Sequence, residues 1–372
     1  MKKLLNKIFP VALRLKILSL PEIIFGMLCS LLPVKNRVLF YTIRENGKLL
    51  DNSKVLYDAL ECEKIVFASK LPHSRCDKFK AIRLLKTSKV IVTDDYCKYM
   101  RVISLNDKQK LIQIWHACGS FKCFGLDAPS LLSREQEIRT HKRYDLVSVT
   151  GEACSEHYAS AFGIDKSVIK ALGMPRTDDI VNKSDEMRSK VYADFPELKN
   201  KKIYLYCPTF REINGQVTQF NPQIDFALLN RELSDDEMFI VCRHPLENKA
   251  FFNEKFDKAV DMTGVSTTLL SSVSDVIITD YSSIIFDALL FNVPPLFYCP
   301  DYSSYERNFY LKFPEDMPGE MITDSKALLP AIRQTKEMPP VEKTDSFKKL
   351  QLSACDGKAT ERLTKYITDC LS

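Results

Sequence analysis

The sequence predicts an α/β protein built from two open, mostly parallel sheets that face each other. Three observations carry that expectation. At 372 residues the chain is long enough for two domains, each with its own core. Short apolar runs alternate with stretches of helical length and period, which implies crossover units and parallel sheets covered on both faces. The alternation lapses over the polar, charged residues 176–200 and then starts again. An apolar content of 45% with 27% charged residues is that of an ordinary globular protein and excludes disordered and collagen-like chains.

The first element, residues 1–36, stands apart by charge. Lys2, Lys3, Lys7, Arg14, Lys16, Lys35 and Arg37 face a single acid, Glu22, within residues 1–37. The net charge of the whole chain is only +5, so the remainder is close to neutral, which argues against a general nucleic-acid binder. The apolar part, "LSLPEIIFGMLCSLLPV", is too short and too interrupted by Pro21 and Glu22 for a spanning helix. Arg14 and Lys16 break the pattern of a signal peptide, and no small-x-small cleavage site follows. A basic amphipathic segment lying in the interface of an anionic membrane fits best, against the alternative of an ordinary helix packed on the domain.

Residues 37–180 form the expected first domain. Its strand candidates are "RVLFYTI", "KIVFAS", "KVIVTDD", "KLIQIWHA", "DLVSVTG" and "VIKALGMP", separated by helical stretches such as "NSKVLYDALE" and "KFKAIRLLKTS". Residues 200–340 form the second, with strands in "KKIYLYCPTF", "MFIVCRHP", "DVIITD" and "PPLFYC". Residues 343–372 read as a helical tail with a break near Gly357. The twelve cysteines are scattered without any C-x-x-C, and Cys207, Cys242 and Cys299 end apolar runs, where a thiol acts as a small hydrophobe. Without an export signal a reducing cytoplasm follows, so neither disulfides nor a zinc site is expected.

In open α/β sheets ligands bind beyond the carboxyl ends of the strands. Four polar clusters fall there. They are "IWHACGSFKCFG" with His116, Gly119 and Lys122, "YCPTFR" with Thr209 and Arg211, "VCRHP" with Arg243 and His244, and "TDYSSIIFD" with Ser282, Ser283 and Asp287. The last opens a helix, whose first amides lack internal partners and attract an anion. Ser282 and Ser283 can cap that end and donate to phosphate, while Asp287, four residues beyond Ser283, shares its face and suits a ribose. Simple capping, with Asp287 paired elsewhere, is the alternative. Of the five histidines, His73, His141 and His157 read as structural. His116 and His244 stand on loops at strand ends, where binding and catalytic groups concentrate. A free imidazole titrates near pH 6.5 and so accepts a proton at cytoplasmic pH.

The set Trp-His with small residues, Lys and Gly, then "PTFR", "RHP" and "TDYSSIIFD", resembles the CDP-glycerol glycerophosphotransferase family, the teichoic-acid primases and polymerases. The likeness runs from about residue 37 to about 340 in the right order, with Ala117 after the histidine where many members carry Gly. It implies a GT-B-like pair of Rossmann-type domains across a cleft, a first domain for the acceptor and a second for the CDP-linked donor. It further implies a donor of CDP-glycerol or CDP-ribitol, a polyprenyl-linked saccharide or growing polymer as acceptor, and a peripheral enzyme at the cytoplasmic face of a bacterial membrane. By motif, His116 matches the general base and His244 the second essential histidine. Arg211, Ser282, Ser283 and Asp287 match the donor site.

The implied reaction is attack of an acceptor hydroxyl on the phosphorus bearing the polyol, with CMP leaving, in teichoic-acid-like or capsular polymer synthesis. Thr209, Arg211, Arg243, His244 and the helix start would hold the phosphates; Gly119 and Lys122 would stand on the acceptor side. No carboxylate cluster resembles a metal site, "TDD" at 93–95 reading as a loop, so no tightly bound cofactor is expected and only loosely held magnesium stays open. A GT-B nucleotide-sugar transferase or epimerase is the competing enzyme class, and a non-catalytic membrane-bound scaffold the competing binding role. Glycine is scarce, at 11 in the chain, where sugar-nucleotide enzymes often use Gly-rich phosphate loops.

Overall fold

The computed structural model describes residues 19–128, 132–213, 216–244, 249–305 and 308–372. The first sheet holds β1 (Lys35–Thr42), β2 (Lys64–Ala68), β3 (Ser88–Thr93), β4 (Lys110–Gln113), β5 (Leu146–Ser148) and β6 (Ile169–Lys170). Their spatial order is β2-β1-β3-β4-β5-β6, and every neighbouring pair is parallel. Val38, Leu39 and Phe40 of β1 are all at 0% exposure, so consecutive side chains are buried on both faces. That is why these strands read as continuous apolar runs rather than as alternating ones.

The second half repeats the design with β7 (Lys202–Cys207), a short antiparallel hairpin of β8 (Arg211–Ile213) and β9 (Gln216–Thr218), then β10 (Glu237–Val241), β11 (Ala259–Asp261), β12 (Val276–Thr279), β13 (Pro295–Tyr298) and β14 (Met321–Ile322). Its parallel sheet runs β11-β10-β7-β12-β13-β14. The order reverses between β7 and β12, and such a switch point leaves a crevice at the carboxyl ends of the two strands. Each of the ten apolar runs read from sequence contains a strand; the short β8, β9, β11 and β14 carry too few residues to show a pattern.

The polar stretch after residue 175 reads from sequence as a linker or a surface helix, and it is helical. It forms helices Pro175–Asn182 and Ser184–Asp194. The C-terminal segment is also more than a tail. Phe347 of helix Val341–Gln351 stacks on Phe286 of the second domain at 5.8 Å. Leu363 and Ile367 of helix Ala359–Leu371 are fully buried with Val38, Phe40 and Val90. The chain thus returns to complete the core of the first domain.

Of the basic N-terminal segment, residues 1–18 lie outside the described residues. Helix Leu20–Cys29 packs on helix Arg75–Thr87, with Phe25 edge-on to Phe79 at 4.8 Å and Lys78 bonded to Glu22 at 3.0 Å. Its other side leaves Leu20, Met27 and Leu28 at least half exposed, and Leu31 beyond it is 84% exposed. Among the described residues no helix is long and apolar enough to cross a membrane.

Candidate active site between the two sheets

A cavity of about 500 Å³ opens between the two sheets. The loop after β4 supplies one wall, with His116, Gly119 and Lys122; the loops after β7, β10 and β12 supply the other, with Thr209, His244, Ser282 and Ser283. The four strand ends singled out from sequence therefore converge on one space.

His116 is held on two sides. Trp115 adopts φ +47, rare for a bulky residue, while its N–H donates to Gln113 Oε1 and its carbonyl accepts from Asn52 Nδ2. The indole lies under the imidazole, ring centres 4.5 Å apart. His116 Nδ1 sits 3.0 Å from the carbonyl oxygen of Asp94 at the end of β3. A carbonyl only accepts, so Nδ1 donates to it, and in the neutral tautomer Nε2 presents a lone pair. Gly119 follows at φ +65, where a Cβ would stand 2.1 Å from Phe286 Cζ of the opposite domain. Only glycine lets the loop pass so near that ring.

The loop is also stitched to its surroundings. Cys123 N–H donates to the Asn308 carbonyl, and Tyr310 N–H to the Phe121 carbonyl, each at 2.9 Å. Behind it, Ser120 N–H donates to Gln351 Oε1 and Gly119 N–H to Thr150 Oγ1, which in turn donates to the Gln351 carbonyl. The site is thus built from both domains and from the returning C-terminal segment.

On the opposite wall the fully buried Asp280 accepts from the N–H groups of Thr209 and Tyr281 with Oδ1, fixing two strand ends to each other. Thr209 Oγ1 has no hydrogen-bond partner among the described residues. Ser282 Oγ accepts from Ile284 N at 3.3 Å, whereas Ser283 makes no side-chain cap and is exposed. His244 lies against the Phe210 ring at 4.6 Å. Burial, and then the positive charge of Lys122, hold its pKa below the ordinary value, so at neutral pH it is an uncharged imidazole.

Three residues expected at the donor do not line the cavity. Arg211 is gripped by Asp301 at 2.6 and 3.0 Å, lies 2.8 Å from Asp280 Oδ2, and has the Phe220 ring 4.0 Å from its guanidinium. Its guanidinium is thus paired with the buried Asp280 and the half-buried Asp301. Arg243 bonds Asp261 at 3.1 Å and the Lys249 carbonyl at 2.8 Å. Asp287 is 4% exposed, and its Oδ2 accepts from Arg176 at 2.7 Å and from Thr268 at 3.0 Å. A carboxylate so engaged forms an ion pair from one domain to the other.

Little in the sequence marks Arg176, which sits in the polar stretch that reads as a linker or a surface helix. Glu137 also lines the cavity unforeseen, because a glutamate on a polar helix usually marks a solvated face. Asp94 belonged to the run read as a loop; its carbonyl, not its carboxylate, is what meets His116. Among the described residues no group of three or more His, Cys, Asp or Glu could hold a metal ion.

The family model for CDP-glycerol:poly(glycerophosphate) glycerophosphotransferase matches residues 24–369. A teichoic acid ribitol-phosphate primase of Bacillus spizizenii is 31% identical, covering 94% of this chain and 95% of its own. A teichoic acid poly(ribitol-phosphate) polymerase of the same organism is also 31% identical over 91% of this chain, which spans 57% of that longer protein. Among solved structures, the wall teichoic acid polymerase TagF superimposes with a TM-score of 0.78 at 23% identity, over 96% of this chain and 95% of the other. That likeness bears on the fold.

Proposed function

The chain belongs to the CDP-glycerol:poly(glycerophosphate) glycerophosphotransferase family, and from that premise we propose how its cavity performs transfer of a polyol phosphate. The donor is CDP-glycerol or CDP-ribitol, the acceptor a hydroxyl of a polyprenyl-linked saccharide or of a growing polymer, and the leaving group CMP. The observation that carries this reading is the facing of His116 and His244 across one cavity walled by Thr209, Ser282 and Ser283.

The acceptor oxygen attacks phosphorus and its proton passes to His116 Nε2, the nitrogen left unprotonated when Nδ1 donates to Asp94. An O–P bond forms as the P–O bond to CMP breaks. A positioned base of this kind contributes roughly a hundred- to ten-thousandfold. Neutral His244 donates an N–H to the transferred phosphate, and the hydroxyls of Thr209, Ser282 and Ser283 donate to the diphosphate oxygens. Lys122 supplies positive charge. Preorganised donors of this sort stabilise charge as it develops on the departing phosphate.

The exposed Leu20, Met27, Leu28 and Leu31 suit a helix half sunk in a bilayer surface. With the basic residues preceding it, this face would hold the enzyme at the cytoplasmic side of a bacterial membrane, where a lipid-linked acceptor is presented. The test is CMP release by purified protein from CDP-glycerol, CDP-ribitol and several nucleotide sugars. Release from a CDP-polyol alone supports the proposal; turnover of a nucleotide sugar with CDP-polyols inert overturns it.

A further inference from the structure

We infer that Glu137 is the residue that recognises the acceptor, by accepting a hydrogen bond from a polyol hydroxyl next to the one that reacts. The inference rests on the reading of the cavity just proposed and adds to it which wall takes the acceptor terminus.

The two walls differ in chemistry. Thr209, His244, Ser282 and Ser283 on one wall, joined by Lys122 from the loop after β4, can all donate to phosphate oxygens. Among the described residues lining the cavity, Glu137 is the single carboxylate. It stands on the same wall as Trp115 and Phe124, whose rings lie 5.3 Å apart, and His116 stacks on that indole. A carboxylate accepts and cannot donate, so it repels phosphate and welcomes a hydroxyl. Aromatic faces beside it suit the C–H edges of a polyol.

Glu137 is held ready by its own helix. Ser133 and Gln136 close a capping box at the start of helix Arg134–His141, which fixes the turn that carries Glu137. One helical turn on, His141 Nε2 lies 3.5 Å from Glu137 Oε1. Gln113 Nε2 donates to the Tyr144 hydroxyl at 2.9 Å, and that hydroxyl lies 2.9 Å from His141 Nδ1. A carboxylate only accepts, so the proton of the neutral ring sits on Nε2 toward Glu137, and Tyr144 donates to Nδ1. His141 is buried, which lowers its pKa, so the ring is neutral. The bond from His141 holds the Glu137 carboxyl below its usual range, aided by the charge of Arg101. Glu137 is therefore a net negative group with 13% of its side chain exposed. Its Oε2 has no hydrogen-bond partner among the described residues. The terminal torsion of a glutamate is broad, so a small rotation turns either oxygen toward a ligand. A donor that satisfies such a carboxylate contributes more than a bond between neutral groups.

The experiment uses the full chain with CDP-glycerol and two soluble saccharide acceptors. One ends in glycerol phosphate; the other ends in propane-1,3-diol phosphate, which keeps the reacting hydroxyl and lacks its neighbour. In the wild-type protein the acceptor KM should rise roughly tenfold or more for the second acceptor. Glu137→Gln should raise the KM of the first acceptor by a similar factor, remove the discrimination between the two, and leave the donor KM unchanged. A merely structural Glu137 would lower the unfolding temperature without moving the acceptor ratio. The same KM ratio in wild type and variant, or no discrimination in the wild type, overturns the inference. Absence of CMP release from either CDP-polyol in the wild type would instead overturn the proposed function.

Discussion

Arg176 reaches from the first domain to Asp287 in the second and donates to its Oδ2 at 2.7 Å. The same guanidinium lies 3.1 Å from the Cys118 sulfur, two residues past His116. The pair therefore joins the helix that follows Ser283 to the loop that carries His116. Both partners are largely withdrawn from water, at 19% and 5% side-chain exposure. Removing one charge leaves the other buried and uncompensated, which costs about 3–5 kcal/mol.

Asp287→Asn should accordingly lower stability by about 3 kcal/mol in denaturant unfolding. Replacing both partners by apolar residues of similar size, Asp287→Leu with Arg176→Met, should recover much of that loss. A ribose ligand would behave otherwise, losing CMP affinity with stability intact. Isothermal titration with CMP alongside the unfolding curves separates the two.

Gly119→Ala should disturb the domain contact directly. The added methyl meets Phe286, itself fully buried, and the residue keeps a positive φ. Overpacking costs about 1–3 kcal/mol, and the left-handed backbone adds about 1–2 kcal/mol. Turnover should fall as well, since the loop that carries His116 must shift. Pairing the change with Phe286→Leu should restore part of both; a double variant no better than the single one would place the strain elsewhere.

Acidification should weaken the fold. Burial lowers the pKa of His73, His141, His157 and His244. A histidine with a depressed folded pKa contributes stability that is complete above its unfolded value, about 6.5. That contribution falls as the pH drops from there through the folded value, because the unfolded chain binds the proton more readily. Unfolding midpoints in urea should be level from pH 8 to 7 and decline steadily from about pH 6.5 to 5. A midpoint that rises over the lower interval would contradict the assignment.

The exposed row on the first helix predicts membrane attachment. Leu28→Ser with Leu31→Ser should weaken sedimentation with vesicles of phosphatidylglycerol, since each leucine withdrawn from the bilayer forfeits roughly 1.5–3 kcal/mol. Turnover of a soluble acceptor should be unaffected, because neither residue lines the cavity. Undiminished sedimentation of the variant would show that this face is not the one that binds.

What the sequence made legible follows from what is local. Apolar runs such as "KVIVTDD" and "DVIITD" mark β3 and β12 because parallel strands are buried on both faces, and strand ends fix where a crevice can form. His116, Gly119, Lys122, Thr209, His244, Ser282 and Ser283, read in that way, all line the one cavity. Partners distant in the chain were not. Arg211 meets Asp301 ninety positions away, and Arg176 meets Asp287 across 111; nothing near either arginine announces a waiting carboxylate. An arginine at a strand end therefore reads as a phosphate ligand until its partner is seen. The final helix shows an apolar face in sequence, but which sheet that face covers depends on the return of the chain to the first domain.

The central claim is that His116 takes the proton of the attacking hydroxyl. The most direct measurement is the turnover of His116→Asn with a CDP-polyol donor and a soluble acceptor, with donor affinity measured by titration on the same protein. Loss of a general base predicts a fall in turnover of roughly two to four orders of magnitude, with donor affinity preserved. Turnover at the wild-type rate in that variant would contradict the account and leave His116 as a ring that only positions Trp115.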